Sequence, residues 1–537
     1  MQITHKHYDI IVIGGGAGGL YTAQMLSANG FNVCCVSKTF PLRSHTISAT
    51  TGISAACDNM GDGDRWEYQY IDTMQTSAGL ADHEAVEFLC KQGPSIMQEL
   101  SSWGAPFSRL KDGKLMQKFG EGHHIWSDAH TEKAKRLCFA EKKTGHAILH
   151  TLYQQCLRQG VQFLNEHLAL DICLRDKYAT AAVWDMCAGE LLELSCDNII
   201  LATGGAGHLY AHTSASSACT GDAQAMILRL GLPLQNMEFV QWHALGVYPW
   251  GHLLNDADLL SNGACLKYED GSECDLRGKE LLANHNNPLN LDISRLSNND
   301  ILPDLCQISG ESQINVAPTV SSTLGGIPTN IHGQVLDAQM NPVRGIFAIG
   351  ECACPRIHGA ERLIGNTLLA PLVFGQSTGR FIVETAEKCT SHKNMNSEEN
   401  RDIWERFEDM QKSCGNENTQ DLIDTLRKSM TKYAGNVKSR DSLCKLIEEQ
   451  KAMSGKMGKL SNPGDSMVWN TCLMDMLELD NMLLNAKAMA TCMMNRQETR
   501  GMHIRSDYPN LDENFNFHQM VWREGENFHT SYIEVKS

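Results

Sequence analysis

Two short stretches carry residues that could do chemistry. The first, "YDIIVIGGGAGGL", runs an apolar strand into Gly14-x-Gly16-x-x-Gly19 and then into a helix-like "LYTAQMLSANG". Glycines at that spacing let the chain turn tightly at Gly14, admit a pyrophosphate at Gly16 and pack helix on strand at Gly19. The helix beginning near Ala17 offers its positive end to phosphate. "FNVCCVSK" reads as a second strand, and it ends in Ser37-Lys38 where an NAD site usually carries an acid. That departure favours FAD. The second stretch, "FPLRSHTISATTGI", places His45 on a Ser/Thr-rich loop downstream. An imidazole there is either a packing group satisfied by hydroxyls or a nucleophile for a flavin.

Further elements must position these residues. "DNIILATGGAG" is another buried strand closing on glycines, and "GIFAIGECACP" is a third, delivering Glu351 where a carboxylate can bond ribityl hydroxyls. The sequence predicts an α/β chain: a Rossmann-like FAD-binding domain in two parts (1–240 and 331–390) with an α+β cap for substrate inserted at 241–330. Apolar residues spaced by three and four over 395–497 predict a C-terminal helical bundle. Its methionines read as core rather than as a cofactor site. Residues 498–537 read as an aromatic, irregular tail.

Composition bounds the function. A chain of 537 residues with 42% hydrophobic and 20% charged residues fits a multi-unit globular enzyme. A net charge of −17 argues against a general nucleic-acid binder. No apolar run nears eighteen residues, so no transmembrane segment is expected. The N-terminus shows no signal or Arg-rich transit peptide, which fits a cytoplasmic protein or a processed organellar chain. The 20 cysteines are scattered without a CxxC pair. Neither an iron–sulfur cluster nor a zinc site is expected, and the thiols read as reduced packing residues.

The motifs "FPLRSHT", "TGHAILHTLY", "TGDAQAM", "MEFVQWH", "LGGIPTN", "GAERLIGNTLLAPLVFG", "MVWNT" and "TRGMHIRSDYP" occur in order along nearly the whole chain. With them the chain resembles the flavoprotein subunit of succinate dehydrogenase, respiratory complex II. The resemblance implies FAD bound covalently from His45 to the flavin 8α-methyl. Beyond the glycines and Ala17, it implies flavin contacts from Ser37, Lys38, Ser44, Thr46, Gly52, Asp222, Glu351, Thr367 and Leu368. In the substrate site it places Arg362 and His243 as carboxylate ligands. Arg295, in "LDISRL", falls where the family has its proton-transferring arginine, although another register puts Asn290 there. Other positions depart from the family. Leu245 stands for a threonine, Asn255 begins the altered Thr-Glu-Gly segment, Ser321 replaces a histidine, Leu259 replaces a relay arginine, and the cap is shortened.

Three functions follow from the resemblance. One is oxidation of succinate to fumarate, with electrons passed to an iron–sulfur subunit and, through it, to membrane anchor subunits. The second is a catalytically impaired paralogue that serves as a structural subunit of such a complex. The third is a soluble flavoenzyme like L-aspartate oxidase or fumarate reductase. The resemblance also implies a peripheral place on the matrix side of the mitochondrial inner membrane, or on the cytoplasmic side of a bacterial one.

Overall fold

The computed structural model describes residues 2–535 apart from 127–130, 142, 176, 255, 286, 297–312, 387–399 and 465. Short apolar runs form a six-stranded sheet: β1 (Ile10–Ile13), β2 (Val33–Ser37), β3 (Gln162–Asn165), β4 (Asn198–Leu201), β5 (Gln334–Leu336) and β6 (Pro342–Ala348). Their spatial order is β5-β6-β4-β1-β2-β3, parallel throughout except for the β5–β6 pair. β1 and β2 are buried along their whole length, which explains why both read as continuous rather than alternating apolar runs. From β1 the chain builds outward through β2 and β3 on one side, then returns through β4 and β6 on the other. The reversal leaves a crevice beyond the carboxyl ends of β1 and β4, where α/β sheets of this kind bind ligands.

Three helices frame that crevice: α1 (Ala17–Ala28), α2 (Asp222–Arg229) and α3 (Asn366–Thr385). α1 is apolar nearly all round and is buried between the sheet and α3. Thr22 on α1 donates from Oγ1 to the Gly375 carbonyl of α3 at 3.0 Å, a contact made possible by small residues on both helices.

The inserted cap is a five-stranded sheet in the order His252–Leu253, Val240–Val247, Gln313–Thr323, Leu289–Asp292 and Cys265–Lys267, antiparallel at every junction. Its central pair slips in register between His243 and Gly246, and His243 borders the crevice.

Helices Arg401–Gln411, Thr419–Tyr433 and Arg440–Ser454 pack around the long α4 (Thr471–Asn495), which also lies against α2. Met476, Met482, Met489 and Met493 of α4 are buried in the core, as the apolar spacing predicts. The last segment differs from expectation. Phe517–Glu524 and Asn527–Glu534 form a regular hairpin that extends from Leu234–Gln235. Gly525, at φ 60°, makes its turn, and the buried Met520 and Val521 anchor it, so a turn glycine between alternating runs was the overlooked signal.

Candidate flavin and carboxylate site

The crevice holds a cavity of about 1130 Å³ that reaches from the glycine turn after β1 to the cap. The turn explains itself sterically. Gly14 sits at φ 117°, and a Cβ there would stand 2.1 Å from the Ala202 carbonyl oxygen. A Cβ on Gly19 would stand 2.1 Å from the Gly14 carbonyl oxygen, so helix and turn touch backbone to backbone. Gly16 instead borders the cavity, with Thr46 Oγ1 3.6 Å from where its Cβ would be. Thr46 Oγ1 accepts from the Ala17 amide at 3.2 Å, which ties the His45 loop to the start of α1.

His45 opens a single 3₁₀ turn, His45–Ser48, and is half-buried at the cavity wall. Its Nδ1 accepts the Ser216 amide at 3.3 Å and lies 3.3 Å from Ser48 Oγ. A neutral imidazole held this way uses Nδ1 as its acceptor and carries its N–H at Nε2.

Lys38 and Asp222 are bound to each other. Lys38 Nζ meets Asp222 Oδ2 at 2.9 Å and Glu478 Oε1 of α4 at 2.6 Å, and donates to Thr220 Oγ1 at 2.8 Å. Asp222 Oδ1 accepts from Thr220 and Asn481. Burial alone would push the Asp222 carboxyl up, but the Lys38 ammonium overrides it and holds the carboxyl below the usual range. Glu478 goes the other way, raised by burial. The one ammonium therefore favours Asp222, and Glu478 is the easier of the two to protonate. Both Lys38 and Asp222 border the cavity, so one network positions the floor of the site and the helical unit together.

Glu351 follows β6 on a 3₁₀ turn and accepts the Thr323 amide at 2.9 Å. Ser37, Ser44, Gly52, Thr367 and Leu368 also line the cavity. Ser44 Oγ and Thr367 Oγ1 are buried there without hydrogen-bond partners. Buried hydroxyls seldom stay unpaired, so a cofactor in this cavity would offer these two a partner.

The carboxylate-binding end is built around Arg362. Its amide donates to Gln241 Oε1 at 3.0 Å and its Nη1 to Ser322 Oγ at 2.7 Å, while Nε is buried without a partner. Burial pushes the guanidinium down to about 10, partly opposed by Glu351, so it stays charged at neutral pH. His243 and Ser321 line the same cavity. His243 Nδ1 lies against the Leu245 backbone, and Ser321 Oγ donates to the Gln241 carbonyl at 3.2 Å.

Other expected residues are not brought here. Arg295 is exposed on a turn after Leu289–Asp292, and it is not among the residues lining the cavity; nor is Asn290, on that strand. Leu259 is 3% exposed within the apolar core. Asn255 lies outside the described residues. Three residues that sequence reasoning overlooked do belong to the site: Gln241, Ser322 and His358. Gln241 and His358 fall within or just beside quoted motifs, and their polarity inside otherwise apolar segments was the available signal.

The residues fit a dinucleotide and a small acid together. Ligand pockets usually span about 300–1,000 Å³, so a cavity of about 1130 Å³ has room for both. A glycine-lined turn at one end, unpartnered hydroxyls along the wall and an uncompensated guanidinium at the other end define a flavin-dependent oxidoreductase. The comparisons narrow this. The chain matches the family "FAD binding domain" over residues 9–285 and 292–368, and "Fumarate reductase flavoprotein C-term" over 423–537. It is 35% identical to a succinate dehydrogenase flavoprotein subunit of Rickettsia bellii, covering 95% of this chain and 92% of that protein. It is 33% identical to the mitochondrial succinate dehydrogenase [ubiquinone] flavoprotein subunit of Oryza sativa, over 99% of this chain and 91% of that one. Among solved structures, Mycobacterium smegmatis Sdh1 in complex with UQ1 superposes with a TM-score of 0.88 at 25% identity, covering all of this chain and 95% of that one. A quinol–fumarate reductase with menaquinol gives 0.87 at 28% identity, covering all of this chain and 99% of that one. The chain belongs to the succinate dehydrogenase and fumarate reductase flavoprotein family, and it carries that family's FAD-binding domain.

Proposed function

We propose that this chain is the flavoprotein subunit of a complex-II-like assembly, binds FAD covalently through His45 and oxidises succinate to fumarate. The observation that carries the reading is Arg362, a half-buried side chain with a buried, unpartnered Nε and, among the described residues, no carboxylate partner, in one cavity with the glycine turn and His45. When bound, the flavin supplies a two-electron acceptor. The chain's own residues do the rest. Ser322 and Gln241 fix Arg362 so that it can take one substrate carboxylate as a planar fork. His243 borders the space where the other carboxylate would lie, and Ser321 offers a weaker ligand than an imidazole. Glu351 and the Lys38 network are held by their own hydrogen bonds and ion pairs, so little reorganisation accompanies binding.

Electrons leave a flavin of this kind singly, and no group of three or more potential metal ligands is found among the described residues. We infer an iron–sulfur subunit as the acceptor, with membrane anchor subunits beyond it. No helix among the described residues is long and apolar enough to cross a membrane. A peripheral place on the inner mitochondrial membrane, or on the bacterial equivalent, is supported by the mitochondrial and bacterial relatives.

A second reading, a flavin-loaded structural subunit without turnover, is favoured by one observation: Arg295 is exposed and outside the cavity. Succinate-dependent dye reduction by the purified, FAD-loaded chain separates the two. The first reading expects a measurable rate, about a hundredfold or more below that of an intact relative because one carboxylate ligand is weakened. A flavin that succinate never reduces would leave the structural reading standing.

A further inference from the structure

With Arg295 exposed, the proton leaving a substrate carbon has to be taken by a group within the cavity. Most imidazoles that line it are engaged. Nδ1 of His45 is held by the Ser216 amide, that of His243 by the Leu245 backbone, and that of His124 by Asp72 at 3.0 Å. His167 is tied by its two nitrogens to the Asn165 carbonyl and Asp185. His123 Nδ1 is likewise buried without a partner, but it lies 2.6 Å from where a Cβ of Gly120 would be and so faces its own strand, while Nε2 lies 2.9 Å from the Ile364 carbonyl. His252 also borders the cavity, exposed on the edge strand His252–Leu253 of the cap. His358 is the one of these that shares a segment with Arg362. It lines the cavity four residues before Arg362, and its Nδ1 is buried with no hydrogen-bond partner.

We propose that His358 takes the substrate proton, and that a carboxylate seated on Arg362 readies it to do so. The inference rests on the dicarboxylate reading above. In the step, one C–H bond breaks and its proton forms an N–H bond on His358. The electron pair left behind becomes the C=C bond as a hydride leaves the neighbouring carbon for the flavin, the two-electron oxidant. The imidazolium returns its proton to solvent when product departs. Burial, then the nearby Arg362 charge, hold the imidazole at about 3, neutral but weakly basic. A bound carboxylate offsets the guanidinium's field and makes the protonated ring easier to form. Of the other charges near this end, Glu351 acts on Arg362, and Glu361 is bound by Lys279 at 2.6 Å. His358 is thus a base that substrate itself switches on.

The test is NMR titration of ¹³C-histidine in the FAD-loaded full chain, with the His358 resonance assigned from H358Q. The probe is malonate, a dicarboxylate with a single methylene that cannot form the double bond. Saturating malonate should raise the proton affinity of His358 at least about tenfold. In R362Q the affinity should already be raised without malonate and should not respond to it. In turnover, H358Q should lose the acidic limb of the kcat–pH profile while binding malonate within about threefold of the parent; H358N serves if H358Q fails to fold. Malonate that binds without moving His358 would overturn this assignment alone. Malonate that does not bind at all would overturn the dicarboxylate reading, and this assignment with it.

Discussion

At the scale of single residues, His45 and Arg362 decide what the cavity can do. His45 Nδ1 is already an acceptor for the Ser216 amide, which is the hydrogen-bonding state an Nε2-alkylated imidazole requires. Denatured, acid-treated chain should therefore carry flavin fluorescence that migrates with the polypeptide. H45A should abolish that signal while the native protein still binds FAD non-covalently through the glycine turn. Fluorescence that persisted in H45A would place the bond elsewhere. For Arg362, replacement by glutamine should weaken succinate or malonate binding by roughly two orders of magnitude, about 2–3 kcal/mol for a lost charge-assisted pair, read by calorimetry. The motif residues were legible because close backbone approach and carboxylate chemistry admit few substitutes. Arg295 was not. Nothing in "LDISRL" says whether its turn faces the crevice or the solvent, and that depends on the strand pairing of the whole cap.

Among the elements, the junction of α2, α4 and the end of β2 is the most consequential. Lys38, Asp222 and Glu478 form a buried triad that the sequence could suggest only by halves, since Glu478 lies 440 residues from Lys38 and no local pattern links them. Removing the ammonium in K38M leaves two buried carboxylates facing each other. The expected loss is about 3–5 kcal/mol in denaturant unfolding, with K38R milder. The pH dependence follows from Asp222. Its folded pKa lies below the ordinary aspartate value, so its contribution is present above that value and fades as acid approaches the folded pKa. K38M should flatten that acid limb of stability, measured as melting temperature against pH. The strands and helices of this region were legible because β1, β2 and the glycine turn obey steep local constraints. The C-terminal hairpin was missed because half-buried alternation at an edge is a weaker signal than a buried apolar run.

For the whole molecule, the cavity is assembled from segments far apart in sequence: the N-terminal turn, the inserted cap and the start of α3, braced by α4 through Lys38. FAD that binds only this assembled state should raise the melting temperature of the entire chain in a single transition. The fold class was readable from the order of motifs, whereas the face each cap residue presents was not, because that order says nothing of register. On the reading proposed above, one cavity joins a flavin to a carboxylate-holding guanidinium. Its most direct test is anaerobic addition of succinate to the FAD-loaded chain while the visible flavin absorption is followed. Slow bleaching is expected in the parent chain and none in R362Q under the same conditions. Bleaching at equal rates in both would contradict it, because the reducing acid would then be held somewhere other than Arg362.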